Sequence, residues 1–234
     1  MTFRDRLLGT LAALRPVLEE PGVLIVGSEV PNLLQPDAIS TLVISQDVDL
    51  GVPVDRLQSV KSRLRRVRGL VPSDEEPSVY VPTSAAMIEA NFLGLDSRIR
   101  DARDTYVLED PDLPLMVFGP LGWLRPGRIV EVEGLRLPLP RVADLMAEKL
   151  LTDRAGEKGV RDLLVVAGLL VAAPPDELDE FVTLTLGASA ESRHAICSGL
   201  TVLSLLEPRA GMPDPGPVRD MLTRLLSKIE RLDG

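Results

Sequence analysis

Leu7, Leu8, Leu11, Leu14 and Leu18 recur at three- and four-residue steps, a spacing that predicts one amphipathic helix over residues 3–20, ended by Pro21-Gly22. Short apolar, β-branched runs follow. They predict strands at 23–26, 41–52, 79–81, 85–95 and 115–118. Alternation on both sides of Gly134 predicts a hairpin over 128–139. Between the early strands, Leu57, Val60, Leu64 and Val67 give a second helical stripe over 54–67, and residues 32–34 suit a short helix before Pro36. Residues 71–77 read as a polar loop, and 98–114 as charged and irregular or partly helical. After Pro140 the period is helical throughout, with helices expected at 141–154, 160–172, 176–186, 191–206 and 217–232. The fold class is therefore α+β: a small mixed β-sheet with flanking helices over residues 1–139, then a C-terminal helical bundle over 140–234.

Composition narrows the possibilities. The chain has 234 residues, 45% of them hydrophobic and 26% charged, enough to bury a core in one large domain or two small ones. Net charge is −9, which disfavours non-specific binding to duplex nucleic acid. Aromatic residues are only 3%, so stacking platforms for bases are few. No run is long and apolar enough to span a bilayer, and the first 20 residues lack the uninterrupted apolar core of a signal peptide. One cysteine, Cys197, leaves no internal disulfide framework, so a cytoplasmic location is expected. One cysteine and one histidine, His194, also argue against a zinc site and a Ser-His-Asp hydrolase.

The candidate chemistry lies in the early strands. On a strand at 41–52, Asp47 and Asp49 project to one side, and Val48 and Leu50 to the other. Neighbouring carboxylates repel each other, and a divalent cation is a common remedy. Gly27-Ser28, at the end of the preceding strand, offers small residues and backbone N–H groups to a phosphate. Glu89 stands inside an apolar strand between Ile88 and Ala90, with Met87 and Asn91 on its face. An acid there is costly unless paired or metal-bound, which makes Glu89 the candidate third carboxylate. The plain alternative is a solvated glutamate on an edge strand. Glu131 and Glu133 are rivals, ranked lower because they flank a turn. Lys61, Arg63, Arg65, Arg66 and Arg68 crowd the helix at 54–67. A solvated face is the favoured reading there, ahead of a patch that attracts a triphosphate.

The order Val26-Gly27-Ser28, then Ser45-Gln46-Asp47-Val48-Asp49, resembles the nucleotidyltransferase superfamily, the fold of DNA polymerase beta and the aminoglycoside nucleotidyltransferases. Within it, LPLPRVADLMAEKLLTDRAGEKGVRDLLVV at 137–166 is similar to the bacterial abortive-infection toxin type. The match there is Lys149-Leu150, Arg154, Lys158 and Arg161-Asp162. The resemblance spans roughly residues 20–170. Two departures stand out: Ser28 replaces a second glycine, and the interval 38–44 lacks the arginine usual before Ser-x-Asp-x-Asp.

The resemblance implies Mg²⁺-dependent (or Mn²⁺-dependent) transfer of a nucleotidyl group from a nucleoside triphosphate. Asp47, Asp49 and Glu89 would hold two metal ions about 3.5–4 Å apart. Asp47, Asp49, Glu89 and Lys149 would carry catalysis, and Gly27, Ser28, Lys149 and Asp162 would contact the nucleotide. Lys149 would reach a phosphate or the nucleotide from the helical domain, the alternative being a lysine that snorkels at a helix edge. The acceptor is open among RNA, protein and small molecule, no membrane is expected, and an antitoxin is a possible partner. Two other classes remain: a catalytically silent module binding nucleotide or protein, and a structural protein whose Asp-x-Asp only ends a strand.

Overall fold

A computed structural model describes residues 1–35, 47–101, 104–152, 156–207 and 214–233. The first half of the strand expected at 41–52, the interval 38–44, Ser45-Gln46, Arg154 and the side chain of Lys158 lie outside the described residues. The chain is α+β, and it divides into two compact units: Met1–Glu29 with Ile44–Pro140, and Val30–Val43 with Arg141–Gly234.

In the first unit Thr2 opens α1 (Phe3–Ala13) with a capping box: its hydroxyl accepts from Asp5 N, and Asp5 accepts from Thr2 N. The single helix expected over 3–20 is two. It stops at Leu14, and α2 (Arg15–Leu18) begins with Pro16 in its first turn, where a missing N–H and a fixed φ are tolerated. The leucine stripe is buried as the period requires.

β1 (Leu24–Ile25) leads into the Gly27-Ser28 bend, and α3 (Val30–Leu34) belongs to the second unit. β2 (Asp47–Pro53) is followed by a 3-10 turn and α4 (Leu57–Leu64). On and beside α4, Lys61 pairs with Asp110 and Asp112, and Arg63 pairs with the buried Glu20. Two of the cations expected on a solvated face are therefore committed to acids. β3 (Leu70–Pro72) lies where a loop was expected. After it come β4 (Val79–Pro82), β5 (Glu89–Leu95), β6 (Tyr106–Leu108) and β7 (Leu115–Val117). β6 falls in the stretch expected to be irregular; it is three residues long and held only by β7, too short to show a period.

These strands form one mixed sheet in the order β1-β2-β5-β4-β3. β2 and β5 run parallel, which needs the long crossover through α4 and the β3–β4 hairpin. β7 lies parallel to the second half of β5, beside the edge that β4 takes at the first half. β8 (Pro126–Val132) and β9 (Leu135–Pro140) make a separate hairpin. Its two-residue turn has Glu133 and Gly134 both at positive φ, 50° and 78°, as a turn matched to strand twist demands.

Thr10 fastens α1 to the head of β5. Its hydroxyl donates to Ile88 O at 3.0 Å and accepts from Ile88 N at 2.8 Å, wholly buried and 78 residues away in sequence. The bonds fall one residue before Glu89.

The second unit is built on α5 (Val142–Leu151), which packs against α6 (Gly156–Ala172), α7 (Pro175–Gly187) and α8 (Ala190–Leu205). α9 (Arg219–Asp233) crosses α7 and α8, and α3 packs on α6. α5, which reads in sequence as amphipathic, is buried all round from Val142 to Leu150, including Asp144, Glu148 and Lys149. Among the described residues no helix is long and apolar enough to cross a membrane.

Replacing Thr10 by valine keeps the shape and strands both Ile88 backbone groups. The expected loss is about 2–3 kcal/mol, the usual cost of a buried unmet donor and acceptor, measured by urea denaturation. A variant as stable as the parent would show that Thr10 does not clamp β5.

Candidate functional site

The register of the parallel pair decides which side chains meet. Asp47 lies opposite Glu89, Val48 opposite Ala90, Asp49 opposite Asn91 and Leu50 opposite Phe92. Val48, Leu50, Ala90 and Phe92 have at most 1% exposure, so their face is sealed in the core. Strand alternation then places Asp47, Asp49, Glu89 and Asn91 together on the other face, half-buried.

Asn91 connects the two aspartates. Its Nδ2 donates to Asp47 Oδ2 at 2.8 Å and to Asp49 Oδ1 at 3.1 Å. Carboxylates only accept, so the NH₂ end of the amide must face them. The other end, Oδ1, is buried and has no hydrogen-bond partner among the described residues, an arrangement that costs about 1–3 kcal/mol. Asn91 shares the face of Glu89 in the sequence pattern, but an uncharged amide gives no sign there that it bonds two acids.

Burial raises the Glu89 carboxyl above the usual range, and the charges of Asp47, Glu76 and Asp49 raise it further. All three of those charges are negative. Among the described residues no three acidic, histidine or cysteine side chains gather as a metal-binding group. Two carboxylates nonetheless suit Mg²⁺, which takes one or two protein carboxylates plus substrate phosphates and keeps several waters. The donor set of Asp47 and Asp49, with Glu89 alongside, has the hard oxygen chemistry that such a cation requires.

Val26 N donates to Asp49 O at 2.9 Å, which sets the start of the Gly27-Ser28 bend beside the backbone of Asp49. A Cβ on Gly27 would run into the Glu29 carboxylate, so any larger residue there would have to displace the end of that side chain. Glu29 itself is 1% exposed, a buried acid in the bend that sequence reasoning passed over.

The other expected residues belong to other elements. Lys149 and Asp162 meet in the second unit. Lys149 Nζ is 3.0 Å from Glu148 Oε2 and 3.9 Å from Asp162 Oδ1, and the lysine side chain is 7% exposed rather than snorkelling into solvent. Glu131 and Glu133 sit on the separate hairpin, where Glu131 is exposed opposite Arg136 and Glu133 pairs with Arg4. Neither belongs to the sheet that carries Asp47 and Asp49.

At the carboxyl ends of β2 and β5 lies a cavity of about 680 Å³, bordered by Pro53, Val54, Leu95 and Arg98. The acids occupy the amino ends of the same strands. Asp96, 4% exposed, accepts from Arg98 Nε at 2.8 Å, from Arg98 Nη2 at 2.7 Å and from the Tyr106 hydroxyl at 2.9 Å. The Arg98 hydrogen bonds, offset in part by burial, hold its carboxyl far below the usual carboxylate range.

No model of a known protein family matches the sequence, and no curated protein does. Among solved structures, JHP933 from Helicobacter pylori is 15% identical, with 97% of this chain and 92% of that one covered and a TM-score of 0.35. A "putative nucleotidyltransferase from H. pylori" is also 15% identical, over 100% of both chains, with a TM-score of 0.38. At that level of geometric agreement neither likeness bears on the chemistry.

A raised folded-state pKa means that ionising Glu89 opposes folding. Stability then falls as pH rises out of the acid range. Glu89→Gln is therefore expected to melt higher than the parent at pH 7 in chelator, and the gap should close toward pH 4. An equal gap at both pH values would remove the electrostatic account.

Proposed function

We propose that the chain transfers a nucleotidyl group from a nucleoside triphosphate to an acceptor, with Mg²⁺ or Mn²⁺. What supports the reading is one observation: the carboxylates of Asp47 and Asp49 lie on a single sheet face, tied together by Asn91 and next to Glu89. The neighbouring strand β1 runs into Gly27-Ser28.

Asp47 and Asp49 would hold the cation, with Glu89 as the further acid. A divalent cation bound there would supply charge neutralisation for the phosphates and a lower pKa for an attacking hydroxyl. The Ser28 hydroxyl and the N–H groups of the bend would orient the triphosphate. The acceptor oxygen would attack the α-phosphorus, the bond to the bridging oxygen would break, and pyrophosphate would leave. Glu89 is suited to take the acceptor's proton, since its raised pKa brings it closer to neutrality than an ordinary carboxylate. Lys149 and Asp162 are proposed as nucleotide contacts on the sequence resemblance alone. A toxin-type target in RNA or protein, a partner antitoxin and a cytoplasmic location belong to the same reading.

The test is incubation with labelled nucleoside triphosphates, Mg²⁺, and total cellular RNA and protein. Label is expected to move to one fraction, and Asp47→Ala or Asp49→Ala to reduce transfer at least about 100-fold. Transfer that survives both substitutions would refute the assignment. Triphosphate binding without transfer would favour a silent binding module.

A further inference from the structure

We propose that Asn91 is the positioning residue of the carboxylate pair, holding Asp47 and Asp49 in the one arrangement that receives the cation. The inference rests on the nucleotidyl-transfer reading and adds to it a residue that this reading does not require.

Geometry is the first ground. Asn91 is the direct cross-strand neighbour of Asp49, and Asp47 lies on the diagonal. One nitrogen reaches an oxygen of each, at 2.8 and 3.1 Å. Chemistry is the second. Two neighbouring acids need two donors from a point between them. Serine and threonine offer one, and aspartate offers none. Lysine offers three, but with a positive charge that would compete with a divalent cation for the same acids. A primary amide supplies two N–H groups without charge. It therefore orders the carboxylates while leaving their negative charge in place.

The third ground is the cost. Among the described residues, buried Asn91 Oδ1 has no partner. A side chain chosen only to stabilise the sheet would satisfy that oxygen or lack it, as the apolar residues on the opposite face do. Asn91 leaves it unmet while both N–H groups point at Asp47 and Asp49. Ligating carboxylates in metal sites are commonly oriented by such a hydrogen bond, and losing it typically weakens binding by 10–100-fold.

The experiment is a titration of the whole chain with Mg²⁺, and separately Mn²⁺, followed by thermal shift. It compares the parent, Asn91→Ala, Asn91→Ser and the double variant Asp47→Ala/Asp49→Ala. The parent should be stabilised, and the double variant should not respond. Asn91→Ala should need about 10-fold more cation to reach half its shift, and Asn91→Ser, which restores one donor, should fall between. A residue with a purely structural role would lower the melting temperature without cation and leave the midpoint where it was. An unchanged or lower midpoint in Asn91→Ala overturns the inference and leaves the functional reading standing. No cation response in the parent overturns both. Where the alanine variant fails to fold, the serine variant decides: a midpoint equal to the parent's refutes the role, and a higher one supports it.

Discussion

The structure depends on the parallel pairing of β2 with β5. Every feature of the candidate site follows from its register. Val48 and Leu50 on one strand, and Ala90 and Phe92 on the other, are sealed in the core and permit one alignment. A slip of one residue would bury Asp47 and Asp49 and expose the apolar set, at a cost far beyond the stability of a domain this size. Burying the apolar face therefore also positions the acids. Thr10 adds a second restraint, because it grips the backbone of Ile88 just ahead of Glu89.

Much of this is legible in the residues themselves. The strand with Asp47 and Asp49 is marked by β-branched neighbours and strict alternation. The strand with Glu89 is marked by the same alternation around an acid that an apolar strand does not otherwise tolerate. Those two signals bring three of the expected residues to one face. Period alone does not say that the strands are adjacent or parallel, because that depends on contacts more than 40 residues apart, such as Asn91 with Asp47. Nor does it show the break at Leu14: the leucine stripe runs through it, and only the geometry of Pro16 interrupts the backbone. α5 illustrates a different limit. In sequence Val142, Leu145, Met146 and Leu150 mark one apolar face, with Lys149 on or beside it, and leave Asp144 and Glu148 looking like solvent-facing acids. Asp144, Glu148 and Lys149 are all buried, and Lys149 lies between its own neighbour Glu148 and Asp162 of α6, a contact that local patterning does not reveal.

The residues around the acids divide into two kinds. Gly27 answers to space, since a Cβ there would displace the end of the Glu29 side chain. Asn91 answers to charge, since it is the neutral group between two anions. Sequence patterning is sensitive to the first kind, because glycine after a strand is conspicuous. It is nearly blind to the second, because asparagine in a strand looks like any polar residue on a wet face.

The knot of Asp96, Arg98 and Tyr106 ties the far end of β5 to β6, and its acid stays charged down to much lower pH than an ordinary carboxylate. Glu89, at the near ends, takes up its proton earlier than an ordinary carboxylate. As a solution is acidified, the two ends of one strand therefore respond in sequence. Glu89 is neutralised while Asp96 still accepts from Arg98 and Tyr106, so the near end of the strand sheds charge before the far end does.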